Sequence, residues 1–267
     1  MRSWAGMLQG GNPDQSGKDG ADGARNGSRT LNLAMALVLI CANLAAFFLG
    51  GYHTLGPYLF LAGLACAFCA TVWMAWCQTT REFSALLAVT IGVAIVDEYA
   101  HTVSGVFTYF DKGTPSLLTV FGWGPFVALI VVSATCCRRF VPFRHRAGWF
   151  GVGLPLLSVI MIAALAKSQG YLGIIGWELV LVYGLMGLAS LYYCCTRPLG
   201  WGLSAMACSV ALGAGMEYVG SVEGLWSFHF GQPLCLFMVF VWALRVWTIL
   251  AVCSLLGISF AKRTDKP

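Results

Sequence analysis

Charged residues are scarce in this chain. Only 10% of its 267 residues are Asp, Glu, Lys or Arg, whereas a soluble domain carries about 25%. So few charges cannot cover a water-facing surface. The mean hydropathy of +0.76 excludes intrinsic disorder of the chain as a whole, and the composition also excludes a collagen-like fibre and a small disulfide-bonded domain. We therefore expect a polytopic helical membrane protein.

The sequence also lacks the motifs of several large enzyme classes. It has no nucleotide-binding glycine loop, no HExxH, no GxSxG and no histidine-rich di-iron pattern, so phosphoryl transfer, hydrolysis and desaturation have no support. Its eleven cysteines lie in apolar runs or beside basic helix ends, without the paired ligand spacing of a zinc site. We expect reduced thiols, no metal and no cofactor.

Eight apolar segments follow a polar tail. Residues 1–30 are rich in Gly, Asp and Asn, which predicts a disordered tail. Each later segment is close to the ~20 residues that cross a bilayer, and the loops between them are short, so consecutive helices run antiparallel. The predicted spans of this all-α bundle are 32–50, 56–76, 84–107, 115–136, 149–167, 172–194, 201–226 and 233–260.

Basic residues predict the orientation of these spans. The chain has sixteen Lys and Arg residues, of which only Lys112 and Lys167 fall on the side opposite to the termini and Arg245 falls within a span. This bias predicts that both termini are cytoplasmic. The net charge of +5 then sets topology and requires no nucleic acid. We expect an integral protein of the cell membrane, surrounded by lipid, with cytoplasmic tails at 1–30 and 262–267.

The third and seventh predicted spans resemble each other. VDEYAHTVSGVFTYF (96–110) aligns without gaps with GMEYVGSVEGLWSFH (215–229), which places Glu98 on Glu217. We interpret this match as an internal duplication of a four-helix unit. Because each unit has an even number of spans, the two repeats run parallel. The repeats are 31–140 and 147–261.

The charged residues within the spans are the most informative, because each costs at least ~2.5–3.5 kcal/mol at the centre of a bilayer. At a rise of 1.5 Å per residue, Glu98 and Glu217 are expected ~13 Å and Arg245 ~18 Å below the outer membrane edge. His101 shares a helix face with Glu98. The acids thus form one layer in the outer half of the membrane. The charged residues of the spans are Asp97, Glu98, Glu178, Glu217, Glu223 and Arg245.

Small and aromatic residues accompany this acidic layer. Gly220 and Ser221 share the helix face of Glu217, and such small residues predict either close helix packing or room for a substrate. An apolar pocket with a few acids is typical of a small-molecule site. The predicted substrate-binding residues are Tyr99, Tyr218, Trp226, Trp177, Trp123, Trp242, Glu223 and Arg245. The predicted aromatic rim also includes Phe107, Tyr109, Phe110, Phe228 and Phe230.

Each of these residues also has a purely structural interpretation. Glu98 and His101 alternatively form a buried pair that holds one helix in register. Arg245 alternatively neutralises Glu217 or Glu178 across the bundle. Two further acids, Asp97 and Glu223, alternatively face outer water, and the aromatic residues alternatively form an interfacial belt.

A neutral buried carboxylic acid can act as a general acid, and aromatic faces stabilise cations. Together these groups suit protonation of an isoprenoid double bond, followed by hydration or cyclisation of the cation. In this hypothesis Glu217 and Glu98 donate and recover the proton, His101 tunes Glu98, and Arg245 holds one acid ionised. Trp226, Trp177 and Tyr218 stabilise the cation. The candidate catalytic residues are Glu98, Glu217, Glu178, Asp97 and His101.

The duplicated element E-x6-G-x-[FW]-x-[FY], followed by G-x-P and a tryptophan, covers residues 96–123 and 215–242. It resembles the carotenoid-biosynthesis membrane family that includes the bacterioruberin-pathway and C-1′ carotenoid hydratases. The resemblance implies a cofactor-free membrane enzyme and nominates Glu98 and Glu217 as its essential acids. Small integral-membrane terpene cyclases are similar in chemistry, because they also protonate isoprenoids with buried carboxylates.

The sequence therefore predicts a membrane-embedded enzyme that modifies a lipophilic isoprenoid, as a hydratase or a terpene cyclase. A proton-coupled transporter or small-solute channel is the alternative, because parallel repeats and buried acids also suit transport. Polar residues confined to the outer half argue against a continuous path. A third interpretation, a scaffold or sensor without turnover, leaves the cost of the buried acids unexplained.

Overall fold

A computed structural model describes residues 13–141, 148–258 and 260. The predicted tail at 262–267 and the first twelve residues of the predicted N-terminal tail lie outside the described residues. Within them, the chain forms eight α-helices and a two-stranded sheet. The elements are α1 (Pro13–Leu49), α2 (Tyr58–Cys77), α3 (Thr80–Val103), β1 (Phe107–Tyr109), α4 (Leu117–Cys137), α5 (Gly148–Ser168), α6 (Trp177–Thr196), α7 (Leu199–Val222), β2 (Trp226–Phe228) and α8 (Leu236–Leu255).

All eight of the described helices are long and apolar enough to cross a membrane. The predicted helical class and the predicted number of spans are therefore confirmed. α4 and α8 form the centre of the bundle, because 61% and 78% of their span residues are buried, against 28–44% in the other six helices. Those six helices present large apolar side chains such as Leu37, Leu59 and Leu188 to the surface.

α1 begins earlier than the sequence predicts. It starts at Pro13, so residues 13–30 are helical where we expected a disordered tail. Once a helix has formed, each added residue brings a further hydrogen bond without a new nucleation cost. Side-chain contacts hold part of this extension against the turn between α2 and α3. Ser28 Oγ lies 2.8 Å from Thr80 Oγ1, and the Arg29 guanidinium lies 4.5 Å from the ring centre of Trp76.

α3 and α7 end before their predicted limits at 107 and 226. Gly105 and Gly224 follow these helices with φ of 72° and 78°, a left-handed conformation that favours glycine. After each glycine, the N–H group of the next residue donates a hydrogen bond to the carbonyl oxygen five positions earlier, from Val106 to His101 and from Leu225 to Gly220. This is the Schellman termination, which satisfies carbonyls at the end of a helix and turns the chain away from it.

After these glycines the chain forms β1 and β2, which pair antiparallel. Phe107 faces Phe228, and Tyr109 faces Trp226. The end of the bundle at which α3 and α7 stop and this sheet lies is called the ribbon end below. The ribbon covers the helix ends, so that groups near them are buried even though they lie close to the limits of their spans.

The helix limits recur along the chain at a constant offset. α3 extends from Thr80 to Val103 and α7 from Leu199 to Val222, so both limits shift by 119 residues. The limits of α6 lie 119 residues after those of α2, and the limits of β2 lie 119 residues after those of β1. The 119-residue shift found in the sequence alignment therefore applies to the secondary structure as well.

Glu223 connects the ribbon end of α7 to the start of α2. Its carboxylate accepts hydrogen bonds from the N–H groups of Leu59 at 2.7 Å and of Phe60 at 2.8 Å. Pro57, the N-terminal capping residue of α2, supplies no side-chain cap. Glu223 thus satisfies free donors at a helix N-terminus and interacts favourably with the helix dipole.

We predict that Glu223→Ala lowers the free energy of unfolding by about 1 kcal/mol, because two N–H groups lose their acceptor. The melting temperature of the detergent-solubilised protein checks this. Glu223→Gln keeps one acceptor oxygen and is expected to fall between the wild type and the alanine variant. Equal melting temperatures for wild type and Glu223→Ala would contradict the capping role.

Candidate functional site

A cluster of buried charged side chains lies at the ribbon end of the bundle. Asp97 and Glu98 belong to α3, Glu217 to α7 and Arg245 to α8, and none is more than 6% exposed. Glu98 and Glu217 each precede the end of their helix by five residues, or ~8 Å. Arg245 lies ~14 Å from the start of α8. These depths are smaller than predicted, because α3 and α7 end earlier and the ribbon provides the burial.

Arg245 pairs with two of the acids. Its Nε and Nη2 atoms lie 2.9 and 2.5 Å from Asp97 Oδ2, and its Nη1 atom lies 3.5 Å from Glu217 Oε1. Glu217 is one of the two partners expected from the sequence, and Asp97 is an additional, closer partner that was not expected. Residue 97 is on the face of α3 that contacts α8, and buried charges are stable only when they are paired and hydrogen-bonded.

The guanidinium of Arg245 also packs on two tryptophans. Its central carbon lies 4.7 Å from the ring centre of Trp123 and 4.5 Å from that of Trp242. These indoles donate hydrogen bonds of 2.8 Å to Glu98 Oε1 and Glu217 Oε1 respectively. Arg245 therefore fixes both donors that orient the two glutamates, and each cation–π contact adds ~0.5–2 kcal/mol.

His101 contacts Asp97 and Tyr183. Its Nδ1 atom lies 2.7 Å from the Asp97 carbonyl oxygen and 3.3 Å from Oδ2, and its Nε2 atom lies 2.6 Å from the Tyr183 hydroxyl oxygen. Both ring nitrogens are engaged, so the expected pairing of His101 with Glu98 is wrong. Residue 101 lies one helical turn after residue 97 and therefore stacks on that side chain.

Glu98 is held by two donors. Tyr109 donates its phenolic proton to Oε2, and Trp123 donates to Oε1. Burial, together with the adjacent Glu98 carboxylate, holds the pKa of the Tyr109 phenol well above its usual value, so the phenol remains a donor. Glu217 is different, because its Oε2 atom has no hydrogen-bond partner among the described residues.

The charges of the cluster do not balance unless it holds an extra proton. Three carboxyl groups, those of Asp97, Glu98 and Glu217, face one guanidinium and the imidazole of His101. Even with the imidazole protonated, neutrality requires one neutral carboxyl group. An uncompensated buried charge costs several kcal/mol. The arrangement therefore favours a carboxylic acid that can donate a proton inside the bundle.

A narrow cavity of about 40 Å³ adjoins the two glutamates. It has room for two or three water molecules, at roughly 10–15 Å³ each. Aromatic and aliphatic side chains form most of its wall. The lining residues are Phe60, Leu64, Ala67, Glu98, Phe107, Tyr109, Leu118, Thr119, Gly122, Trp123, Phe126, Met216, Glu217, Trp226 and Trp242.

The small residues beside Glu217 do not leave the predicted open space. A Cβ atom at Gly220 would overlap the indole of Trp226, and one at Gly213 would lie 2.5 Å from Trp242 Cδ1. Two tryptophans fill these positions because glycine permits their close approach to α7. Trp226 is 8% exposed, and its buried Nε1 atom has no hydrogen-bond partner in the part of the chain that the structure describes.

Five predicted site residues lie outside this cluster. Tyr99, Tyr218 and Trp177 are 52%, 49% and 73% exposed. Positions 99 and 218 follow Glu98 and Glu217 directly, and a rotation of about 100° per residue turns their side chains away from the cavity. Glu178 lies in the first turn of α6, and Glu223 caps α2, so the expectation that either contributes to the buried layer is corrected.

Sequence reasoning missed the ribbon and two tyrosines of the site. Tyr109 was assigned only to an aromatic rim, and Tyr183 was not singled out. The segments Phe107–Tyr109 and Trp226–Phe228 alternate aromatic with small polar residues and begin two positions after a glycine, which is a strand signal. A tyrosine within an apolar span, such as Tyr183, needs a hydrogen-bond partner and thereby indicates a polar neighbour.

Within the described residues, His, Cys, Asp and Glu side chains form no group of three or more that could hold a metal ion. The fold and the cluster define an eight-helix membrane protein with a buried site of carboxylates, arginine and tryptophans. No protein-family model matches the chain, and neither curated proteins nor solved structures include a significant match. The resemblance to carotenoid hydratases therefore stays a prediction.

We predict that Arg245→Met prevents stable folding, because removing one partner of a buried ion pair costs about 3–5 kcal/mol. The yield of monodisperse protein and its melting temperature check this. The double variant Asp97→Asn/Arg245→Met removes both charges of the pair and is expected to recover part of the loss. A single variant as stable as wild type would contradict the central role of this pair.

Gly220→Ala is expected to displace the Trp226 indole and lower the melting temperature by several degrees, as overpacking costs about 1–3 kcal/mol. Gly215→Ala is the matched control on the same helix, because a Cβ there meets nothing within 4 Å. Alanine at 215 should be neutral or slightly stabilising. Similar losses in both variants would mean that helix α7 tolerates no alanine, rather than that Trp226 needs the space.

Proposed function

We propose that the protein is a membrane-embedded isoprenoid-modifying enzyme, which protonates a C=C bond without a cofactor and directs the cation to hydration or cyclisation. One observation carries this proposal. Two carboxyl groups line a single aromatic cavity, within a cluster whose charge balance favours one neutral acid. An acid with a proton to give, enclosed by aromatic faces, suits carbocation chemistry.

The two glutamates have different surroundings, which suggests different roles. Glu217 lines the cavity, and its Oε2 atom accepts no hydrogen bond from the described residues, so it is the candidate proton donor. Glu98 accepts hydrogen bonds from Tyr109 and Trp123, which stabilise its ionised form, and its negative charge would balance the cation. The faces of Trp226 and Trp242, which also line the cavity, would add cation–π stabilisation.

The cavity of about 40 Å³ takes water but not a prenyl chain. Small-molecule pockets usually measure ~300–1,000 Å³. The proposal therefore requires side chains of the wall to separate when substrate binds. The apolar side chains of Phe60 and Leu64, on α2, are the candidates, because they form the wall that lacks hydrogen bonds to the glutamates.

A proton-coupled transporter is the other candidate function. It would need a polar path from the cluster to the opposite end of the bundle. Beyond Arg245, the buried positions of α8 are apolar, among them Trp247, Ile249 and Leu250. This apolar continuation supports an enzyme over a transporter.

The duplication and orientation predicted from the sequence belong to the same proposal. We propose two parallel four-helix repeats, supported by the constant 119-residue offset of the helices and by Glu–Trp hydrogen bonds of 2.8 Å that each span 25 residues. We also propose that both termini are cytoplasmic in the cell membrane. Arg81 and Arg197 support this, because they lie at helix ends opposite the ribbon, as does Arg29, which lies near the start of the apolar span 26–49 of α1.

The proposal is tested by expressing the protein in a host that accumulates acyclic carotenoids or prenyl quinols. Wild type is expected to produce a hydrated or cyclised isoprenoid. Glu217→Gln should reduce that product by at least about 100-fold, because general acid catalysis contributes ~10²–10⁴ in rate. Glu98→Gln should have a comparable effect, since the cation loses its counter-charge.

The matched control is Glu178→Gln, which changes a glutamate of α6 outside the cluster. It should leave product formation unchanged at equal protein abundance. Unaltered pigment and lipid profiles with the wild-type protein across all tested isoprenoids would overturn the proposed function. Full activity of Glu217→Gln would remove that residue from its role as proton donor.

A further inference from the structure

Tyr109 contributes to the lining of two cavities. One is the narrow cavity of the glutamates, and the other is a pocket of about 360 Å³ at the ribbon end. The residue is only 5% exposed. Its hydroxyl group donates to Glu98, so the same residue adjoins both spaces and holds the buried carboxylate.

The lining of the pocket at the ribbon end includes polar side chains. Three threonines and a lysine contribute to it, and Thr108, Lys112 and Thr114 are exposed. Such a lining hydrogen-bonds water, and the position at the end of the bundle faces an aqueous phase rather than the bilayer core. The lining residues are Thr102, Thr108, Tyr109, Lys112, Gly113 and Thr114.

A second residue connects this pocket with Glu98. Thr102 lies one helical turn after Glu98, and its hydroxyl donates to the Glu98 carbonyl oxygen at 2.8 Å. The pocket thus reaches two residues that hydrogen-bond Glu98, one at its carboxylate and one at its main chain. In contrast, Phe60, Leu64 and Phe126 on the α2 and α4 side offer no hydrogen bonds, and water there would lose its partners.

We propose that the pocket at the ribbon end admits water to the buried carboxylates, with Tyr109 as the barrier that moves aside. This inference rests on the proposed function and selects hydration over cyclisation. In that reaction the acid O–H bond breaks and a C–H bond forms, which leaves a carbocation and a carboxylate. Water then forms a C–O bond with the cation, and its proton returns to the carboxylate.

A cation that is formed without water has another outcome. It loses a proton from a neighbouring carbon to the carboxylate, which gives an isomer of the starting alkene. The supply of water therefore sets the ratio of hydrated to isomerised product. A residue that only stabilised the fold would lower both products together.

The test fills the pocket with a bulky side chain. Thr108→Trp places an indole in the pocket, and Ser227→Trp is the matched control, because Ser227 faces Thr108 across the ribbon but does not line the pocket. We expect Thr108→Trp to lower hydrated product at least about tenfold and to raise the isomerised share. Ser227→Trp should match wild type. If Thr108→Trp does not accumulate, Thr114→Trp fills the same pocket.

A substrate-free measurement separates this inference from the proposed function. Deuterium exchange of the Trp123 indole N–H in D₂O, assigned by its absence in Trp123→Phe, reports water beside Glu98. We expect Thr108→Trp to slow this exchange at least about tenfold relative to Ser227→Trp. Unchanged exchange and an unchanged product ratio would overturn the water route. Slowed exchange in a protein that forms no product would uphold the route while the proposed function failed.

Discussion

The ion pair between Arg245 and Asp97 is the interaction on which the site depends. A guanidinium at the centre of the bundle would be unstable without the carboxylate at 2.5 Å. Because Arg245 also packs on Trp123 and Trp242, it sets the two indoles that orient Glu98 and Glu217. One cation thus organises three acids. The positive charge of Arg245 neutralises one of them. The cluster then has more carboxyl groups than the remaining positive charge of a protonated His101 can balance.

Positions that lie 119 residues apart differ in a consistent direction. On one side of the cluster, polar side chains contact each other through hydrogen bonds and ion pairs. The corresponding positions on the other side carry no polar side chain, and three of them line the cavity. The polar set is Asp97, His101, Tyr183 and Arg245, and the corresponding residues are Met216, Gly220, Leu64 and Phe126. The glutamates and their tryptophan donors occur on both sides. The polar side therefore supplies rigidity and charge balance, while the apolar side supplies the space in which a ligand is proposed to bind.

The sequence predicted the number and approximate position of the helices, because these depend on long apolar runs and on the cost of exposing backbone groups to lipid. It also singled out Glu98, Glu217, Asp97 and Arg245, since charges within spans are expensive. It predicted Glu217 as a possible partner of Arg245 but not the closer contact with Asp97, because that contact depends on how α3 and α8 rotate about their axes. The ribbon was missed because three-residue strands give little periodic signal. Its omission led to overestimated depths for the glutamates, and it left open whether Gly220 permits close packing or leaves room for a substrate, whereas Trp226 fills that position.

Protonation of a carbon–carbon double bond by a buried acid is the central claim. Incubation of the purified protein with an acyclic isoprenoid in D₂O, followed by mass spectrometry of the product, tests it most directly. The account predicts one non-exchangeable deuterium on carbon for each modified double bond, because the acid proton equilibrates with solvent before transfer. A modified product without deuterium on carbon would contradict the account.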